Sequence, residues 1–341
     1  MQKMRLGRTG LIVSRSGFGA LPIQRISLDE ASILLKKAFS GGITFFDTAR
    51  SYSDSEEKIG YALSDVRSSI VIATKSPAKN KTELLSDLQI SLQKLKTEYV
   101  DILQLHNPDE LPDPSDPQSS YAGLLEAQKR GMTRFVGLTN HKLPLAREAA
   151  LSGKYDTIQF PLNTLSTEEE LDLIEDCKKS DCGLIAMKAL SGGLIRNVRT
   201  VFAFLRQYDN VLPIWGIQRG SELEEFLELE KNPVMMSDII REEIAIDRTE
   251  LAGRFCRGCG YCMPCPLDIQ ICWVARMSLL LRRAPAQNFM NSYWNEKMMA
   301  IKNCTGCGQC RSKCPYSLDT PALLRDNLAD YEQFQSLYDR Q

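Results

Sequence analysis

Net charge is nearly absent from this chain. Its 42 basic and 43 acidic residues leave −1 over 341 residues. So balanced a surface gives no electrostatic footing to nucleic acid or to an anionic membrane, and neither partner is expected. Long apolar runs are missing as well. None approaches the ~20 residues that a bilayer-spanning helix needs. The first residues, MQKMRLGRTGLIVSRSG, hold no long apolar stretch and no small-residue cleavage site, so no signal peptide is expected. No Gly-x-Gly-x-x-Gly follows a strand pattern, which disfavours a doubly wound dinucleotide-binding sheet. Histidine is limited to His106 and His141. Cysteine is scarce up to residue 255, where only Cys177 and Cys182 occur, and both read as structural. It is then abundant, for nine of the eleven cysteines follow. That asymmetry argues against a disulfide scaffold and for a metal module at the C-terminal end.

What is present is a soluble, globular composition, 43% apolar and 25% charged. Met4–Leu6 and Leu11–Ser14 flank the turn Gly7-Arg8-Thr9-Gly10 and predict a hairpin. Strand patterns follow at Ser16–Ala20, Thr44–Asp47, Ile70–Thr74, Val100–Leu105, Phe135–Thr139, Thr157–Phe160, Gly183–Lys188 and Leu212–Gly216. Helical patterns lie between them, among them Leu28–Ser40, Thr82–Leu95, Tyr121–Lys129, Glu168–Lys178, Val198–Tyr208 and Ser221–Leu229. Eight strands, each followed by a helix, are the count of a (β/α)8 TIM barrel. The expected division is a barrel over 1–230, a linker over 231–250 with helix from Asp238 to Ile246, and a cysteine-rich domain over 251–341. The Pro- and Asp-rich stretch 107–120 follows a strand end, so it is expected as a wall of the barrel's active face.

One stretch organises the first domain. In TFFDTARSYSDSEEKIG, residues 44–60, a buried-strand pattern ends in Asp47, and Tyr52 stands five residues on. Taken alone, an Asp near a Tyr is a common structural hydrogen bond. Two later strand ends add Lys75, in IVIATKS, and His106, in VDILQLHNP. Four polar side chains at the ends of three consecutive strands form an active-site constellation. A phenol with a pKa of about 10 is a reluctant acid. A nearby ammonium, Lys75, favours the phenolate and eases proton donation from Tyr52. Asp47 holds Lys75 charged and pointed, and His106 can donate to a substrate oxygen and stabilise charge developing there. His141 is expected in a loop.

The series LGRTGLIVSRSGFGA, FFDTARSYSDSEEKIG, ATKS, LQLHNP, RFVGLTN, IQFPLN and PIWGIQRGSELEEF, residues 4 to about 230, resembles the aldo-keto reductase family in order and spacing. MKALSGG is similar to the Met-Lys-Pro-Leu-x-Gly-Gly of the branch with a ferredoxin-like extension, with Ala189 in place of Pro. Ser53 stands where Gly commonly follows the tyrosine, in the turn that aims Tyr52, and Met132 where Lys is common. The resemblance implies a (β/α)8 barrel and NAD(P)H-dependent reduction of an aldehyde or ketone. It carries the family tetrad onto Asp47, Tyr52, Lys75 and His106. It also implies that Thr139, Asn140 and Gln159 hold the nicotinamide carboxamide. Gly216, Arg219 and Ser221 would meet the phosphates, and Glu225 the adenine. Arg219 as partner of a 2′-phosphate favours NADP over NAD.

The cysteines fall into two runs. Cys256, Cys259, Cys262 and Cys265-Pro266 form the first, and Cys304, Cys307, Cys310 and Cys314-Pro315 the second. The second has the spacing of bacterial ferredoxins, in which the fourth cysteine serves the other cluster. The expected ligand sets are therefore Cys256, Cys259, Cys262 and Cys314 for one 4Fe–4S cluster, and Cys304, Cys307, Cys310 and Cys265 for another. A pair of zinc sites is the alternative. Helices are expected over Ile269–Arg283 and Asn291–Ile301, with Cys272 a core thiol. Exposed clusters are oxygen-sensitive, so the expected compartment is the cytoplasm. Three functions remain in play at this level. They are a carbonyl reductase for a small substrate, an electron-transfer protein serving a ferredoxin or flavoprotein partner, and a nucleotide-sensing subunit without turnover.

Overall fold

Apolar strands alternating with amphipathic helices close into a barrel in the computed structural model, which describes residues 1–251, 255–283 and 286–338. By compactness the chain divides into two units, residues 1–189 with 199–241, and residues 190–198 with 242–341.

In the first unit β1 (Lys3–Arg5) and β2 (Ile12–Ser14) pair antiparallel across a 3-10 turn at Gly7–Thr9. The barrel strands are β3 (Gly17–Gly19), β4 (Phe45–Asp47), β5 (Val71–Ser76), β6 (Val100–His106), β7 (Thr133–Thr139), β8 (Thr157–Pro161), β9 (Gly183–Met187) and β10 (Val211–Gly216). They are parallel and paired in chain order, and β10 closes the ring on β3. Each is followed by a helix. These are α1 (Leu28–Ser40), α2 (Ser55–Leu63), α3 (Lys81–Leu95), α4 (Ser120–Lys129), α5 (Leu143–Leu151), α6 (Glu168–Lys179), α7 (Val198–Leu205) and α8 (Gly220–Lys231). Ser27, Asn80, Ser119 and Thr167 each accept the backbone N–H three residues on. Those helices start where the sequence sets a capping side chain before an apolar period.

The barrel interior is apolar at one end and polar at the other. Met4, Leu6, Leu11 and Val13 of the hairpin join Phe45, Val71, Ala73, Ile102, Ile185, Leu212 and Ile214 in one buried cluster. The hairpin thus plugs the barrel, and Arg5 fastens it to Asp181 through two bonds of 2.6 and 3.1 Å. Side chains two apart on a strand share a face. Asp47 therefore follows Phe45 inward, Lys75 follows Ala73, and Gln104 and His106 follow Ile102. The polar layer lies at the carboxyl ends of the strands, where barrels of this kind place their chemistry.

The second unit is helical. It includes α10 (Ile271–Val274), α11 (Met277–Arg283), α12 (Ser292–Met299), α13 (Gln309–Ser312) and α14 (Thr320–Tyr338), preceded in the chain by α9 (Asp238–Glu250). The single helix expected over Ile269–Arg283 is two helices, broken at Ala275–Arg276. The buried amide of Asn327, on α14, explains the break. It accepts from Ser278 N–H at 2.9 Å and donates to the Ala275 carbonyl at 3.2 Å, in place of helical hydrogen bonds. The helix expected over Asn291–Ile301 ends at Met299 and tightens into a 3-10 turn over Ala300–Asn303.

Helix α2 packs directly on the end of α3. A Cβ at Gly60 would stand 2.2 Å from the Lys94 carbonyl oxygen and 2.7 Å from the Leu95 carbonyl carbon. Backbone cannot yield there as a side chain would. Gly60→Ala is expected to destabilise the barrel by about 1–3 kcal/mol, seen as a lower urea midpoint. An unchanged midpoint would contradict this account of the α2–α3 contact.

Candidate active site and cysteine-rimmed cavities

Lys75 is the centre of the polar layer. Its Nζ donates to Asp47 Oδ1 at 2.6 Å and to the Thr48 carbonyl at 2.6 Å. Both Lys75 and Asp47 are fully enclosed. Burial pushes the Asp47 carboxyl up and the Lys75 ammonium down, and each opposes the other's shift. The Tyr52 ring lies 5.3 Å from Lys75 Nζ, and the His106 ring meets the Tyr52 ring edge-on at 5.7 Å. Burial, aided by the charge of Lys75, pushes His106 down to about 3, so its imidazole is neutral at physiological pH. The structure thus brings Asp47, Tyr52, Lys75 and His106 together.

The loop carrying Tyr52 is clamped from outside the barrel. Arg50 pairs with Glu56, which also accepts from the Thr74 hydroxyl at 2.7 Å. Glu56 is buried. Ser53 takes φ +35°, the left-handed region that favours glycine, and its hydroxyl donates to Gln24 Oε1 at 3.0 Å. The serine departure is thus accommodated by a side-chain bond from the turn to Gln24, in a separate segment.

The expected nucleotide residues divide into a buried and an exposed set. Thr139, Asn140 and Gln159 are buried. Asn140 donates to the Pro108 carbonyl at 2.8 Å and accepts from Lys142 N–H at 2.7 Å. Gln159 accepts from Gln104 Nε2 at 2.9 Å and donates to Asp47 Oδ2 at 3.5 Å. Each amide so uses one donor and one acceptor, and a primary amide has two of each. A carboxamide ligand fits that remainder. Gly216, Arg219, Ser221 and Glu225 are exposed, at the end of β10 and on the first turns of α8. The expected anion site there is met by the chain itself. Glu222 accepts from the N–H groups of Gln218 and Arg219, at 2.9 and 3.0 Å, and its carboxylate lies 3.7 Å from the Arg219 side chain. A phosphate at this position competes with Glu222. His141 is a loop residue, as expected, but a buried one.

In the second unit the two cysteine runs interleave around two cavities. Cys262, Cys265, Cys304, Cys307 and Cys310 line one. Cys256, Cys259, Cys262 and Cys314 line the other. Among the described residues no three His, Cys, Asp or Glu side chains converge as a single metal ion requires. Four thiols spread around a cavity suit a polynuclear iron–sulfur group better than a tetrahedral zinc. Burial pushes the Cys256 thiol up to about 11 and the Cys262 thiol up to about 12. Metal binding must displace those protons.

Residues 16–232 match the aldo/keto reductase family. The chain belongs to that family. Residues 255–319 match the 4Fe-4S dicluster domain, so this is an aldo/keto reductase with a C-terminal iron–sulfur domain. The chain is 29% identical over 209 residues to an L-galactose dehydrogenase of Arabidopsis thaliana, covering 56% of this chain and 66% of that protein. It is 36% identical over 133 residues to a methylglyoxal reductase of Escherichia coli O157:H7, covering 37% and 48%. Both matches stop short of two thirds of the relative's length. An aldo-keto reductase of Klebsiella pneumoniae solved with NADPH shares the fold, with a TM-score of 0.62 at 18% identity over 72% of this chain and 95% of that one. No helix among the described residues is long and apolar enough to cross a membrane.

Three participants in the barrel site went unnoticed in the sequence. The Thr48 carbonyl is a backbone group and leaves no signal in residue type. Glu56 reads as an ordinary first-turn helix carboxylate. Gln104 had a usable signal, for it lies two residues before His106 on the same strand face.

The His106 geometry carries a pH consequence. The unfolded chain protonates this imidazole near 6.5, whereas the folded chain does so only near 3. Stability from this site therefore falls as pH drops through that window. NMR of the ring is expected to show His106 neutral down to pH 5; an imidazolium signal at pH 6 would overturn this assignment.

Proposed function

We propose that this family member reduces a small aldehyde or ketone at the mouth of the barrel, using NADP(H), with NAD as the alternative cofactor. The observation that carries the reading is the Lys75 ammonium, held by Asp47 and set 5.3 Å from the Tyr52 ring. When bound, a reduced nicotinamide supplies hydride to the carbonyl carbon. The chain's residues do the rest. Tyr52 gives its hydroxyl proton to the carbonyl oxygen as charge develops there. Lys75 favours the resulting phenolate, and Asp47 and the Thr48 carbonyl fix Lys75 in place. Neutral His106 is a hydrogen-bond donor to the same oxygen, which orients the substrate. Asn140 and Gln159 hold the carboxamide, with Thr139 beside them. Gly216 and Ser221 border the phosphates, Glu225 the adenine, and Arg219 is the cation that a 2′-phosphate would share with Glu222. The names of the two relatives, a methylglyoxal reductase and an L-galactose dehydrogenase, support carbonyl chemistry in both directions.

We further read two 4Fe–4S clusters in the second unit, one held by Cys256, Cys259, Cys262 and Cys314 and one by Cys265, Cys304, Cys307 and Cys310. They would supply one-electron chemistry. Cys307 is the most exposed of these thiols, and this favours a second reading in which a ferredoxin or flavoprotein exchanges electrons with the clusters.

The test is Tyr52→Phe, assayed as NADPH consumption with small aldehydes and ketones under anaerobic conditions. The rate is expected to fall about 10²–10⁴-fold while NADPH binding is kept. Full activity in the variant would remove Tyr52 as the acid. Tight NADPH binding by the unmodified protein with no turnover on any carbonyl would favour a nucleotide-sensing role instead.

A further inference from the structure

Arg276 is a buried cation that neither the barrel chemistry nor cluster ligation uses. It is 4% exposed. Its Nη2 donates to the Gly192 carbonyl at 2.5 Å, and its guanidinium lies 5.5 Å from the centroid of the Trp273 ring. Its Nη1 fills space left by two glycines. A Cβ at Gly192 would fall 2.8 Å from that atom, and one at Gly258 would fall 2.7 Å from it. Both glycines take positive φ, +67° and +62°, where other residues are strained. The backbone is shaped to admit the guanidinium.

That position is next to a cluster ligand. The N–H of Gly258 donates to Cys256 Sγ at 3.4 Å, so the charge stands behind the peptide that meets the sulfur. Cys256 is the first cysteine lining the second cavity, whose wall also holds Arg257. Arg257 turns its guanidinium to the Tyr316 ring at 4.7 Å. Among the described residues that line the other cavity there is no Lys or Arg. Cys262 lines both cavities, and among the described lining residues the basic one, Arg257, belongs to the second, with Arg276 behind Gly258 and outside that lining.

We infer that Arg276 is a positioning residue for electrons: its buried charge raises the midpoint potential of the cluster held by Cys256, Cys259, Cys262 and Cys314, and leaves the other cluster unaffected. The inference rests on the two-cluster reading above. Reduction adds one electron, and hence one negative charge, to a group that four thiolates already make anionic. A fixed cation buried in the low-dielectric surround of the cluster stabilises the reduced form more than the oxidised one. The Gly258 N–H acts in the same sense, and hydrogen bonding to sulfur is a recognised lever on cluster potential. Electrons entering the unit settle first on the cluster beside Arg276.

The test uses the full chain, loaded with iron and sulfide and kept anaerobic. Dithionite supplies electrons one at a time, EPR reads the midpoints, and iron and sulfide are counted on the same samples. Two transitions are expected, and Arg276→Gln should move one of them to a more negative potential while the other stays. A merely structural role would lower iron content or disturb both transitions instead. If the unmodified chain takes up no 4Fe–4S cluster, the cluster reading fails and this inference with it. If both clusters are present at full iron content and neither midpoint moves, the clusters stand and the role of Arg276 is overturned. Should Arg276→Gln not fold, Arg276→Lys is read in its place. The shorter side chain draws the charge back from Gly258, so a smaller shift of the same single midpoint in the same direction is expected, and unchanged midpoints overturn the inference.

Discussion

Everything at the barrel mouth depends on one buried ion pair, Lys75 with Asp47, at 2.6 Å. Enclosing two charges is expensive, several kcal/mol for each ion even after relaxation. The pair is tolerable because further hydrogen bonds support both charges. The Thr48 carbonyl takes a second proton of the ammonium, and Gln159 reaches the second oxygen of the carboxylate. Adjacent parallel strands place the two residues, since β4 and β5 pair Asp47 opposite Ala73, two residues before Lys75. The apolar plug below the pair fixes that register, because a one-residue slip would turn Phe45 and Ala73 outward and carry the charges with them. Fold and chemistry are coupled through this pair. Removing either partner strands a buried charge and loosens the group that faces Tyr52.

The same pair explains why His106 serves as a neutral group. A second cation beside Lys75 would be repelled as well as desolvated, and both causes push the imidazole down. Edge-on contact with the Tyr52 ring then holds the histidine without charge. One face of the site carries the ammonium and the other a neutral donor. In the proposed reduction, a carbonyl oxygen approaching between them would meet two hydrogen-bonding groups and a single positive charge.

How much of this the sequence revealed depends on distance along the chain. The eight strands were legible because parallel strands buried on both faces read as short apolar runs. Asp47, Lys75 and His106 were legible because each ends such a run, and Tyr52 because it follows one closely. Contacts made by residues far apart were not. The break between α10 and α11 is imposed by Asn327, about fifty residues later, and no local pattern around Ala275 announces it. Glu222 looks like one of several helix-face carboxylates, yet it returns to cap its own helix and meets the expected phosphate position first. The clamp of Arg50, Glu56 and Thr74 likewise needs the tertiary fold, for a helix N-terminus is where a glutamate is ordinarily exposed.

Under the proposed function the two units would handle electrons in different numbers. A nicotinamide gives up two at once as hydride, and an iron–sulfur cluster accepts one. A barrel that holds Tyr52, Lys75 and His106 in register for hydride chemistry has no need of a one-electron store, since donor and acceptor both change by two. The iron–sulfur domain therefore serves either the shape of the chain or an exchange with something outside the hydride step. A purely structural group needs thiol ligands and a packed surround, and the helices around Asn327 provide the second. It does not need a buried guanidinium placed behind the peptide that meets one sulfur. Carrying Arg276 in that position costs desolvation, and on the inference drawn above it would set a difference in potential between the two clusters. Such a difference would give electrons a direction of travel, which a brace does not require and an exchange does.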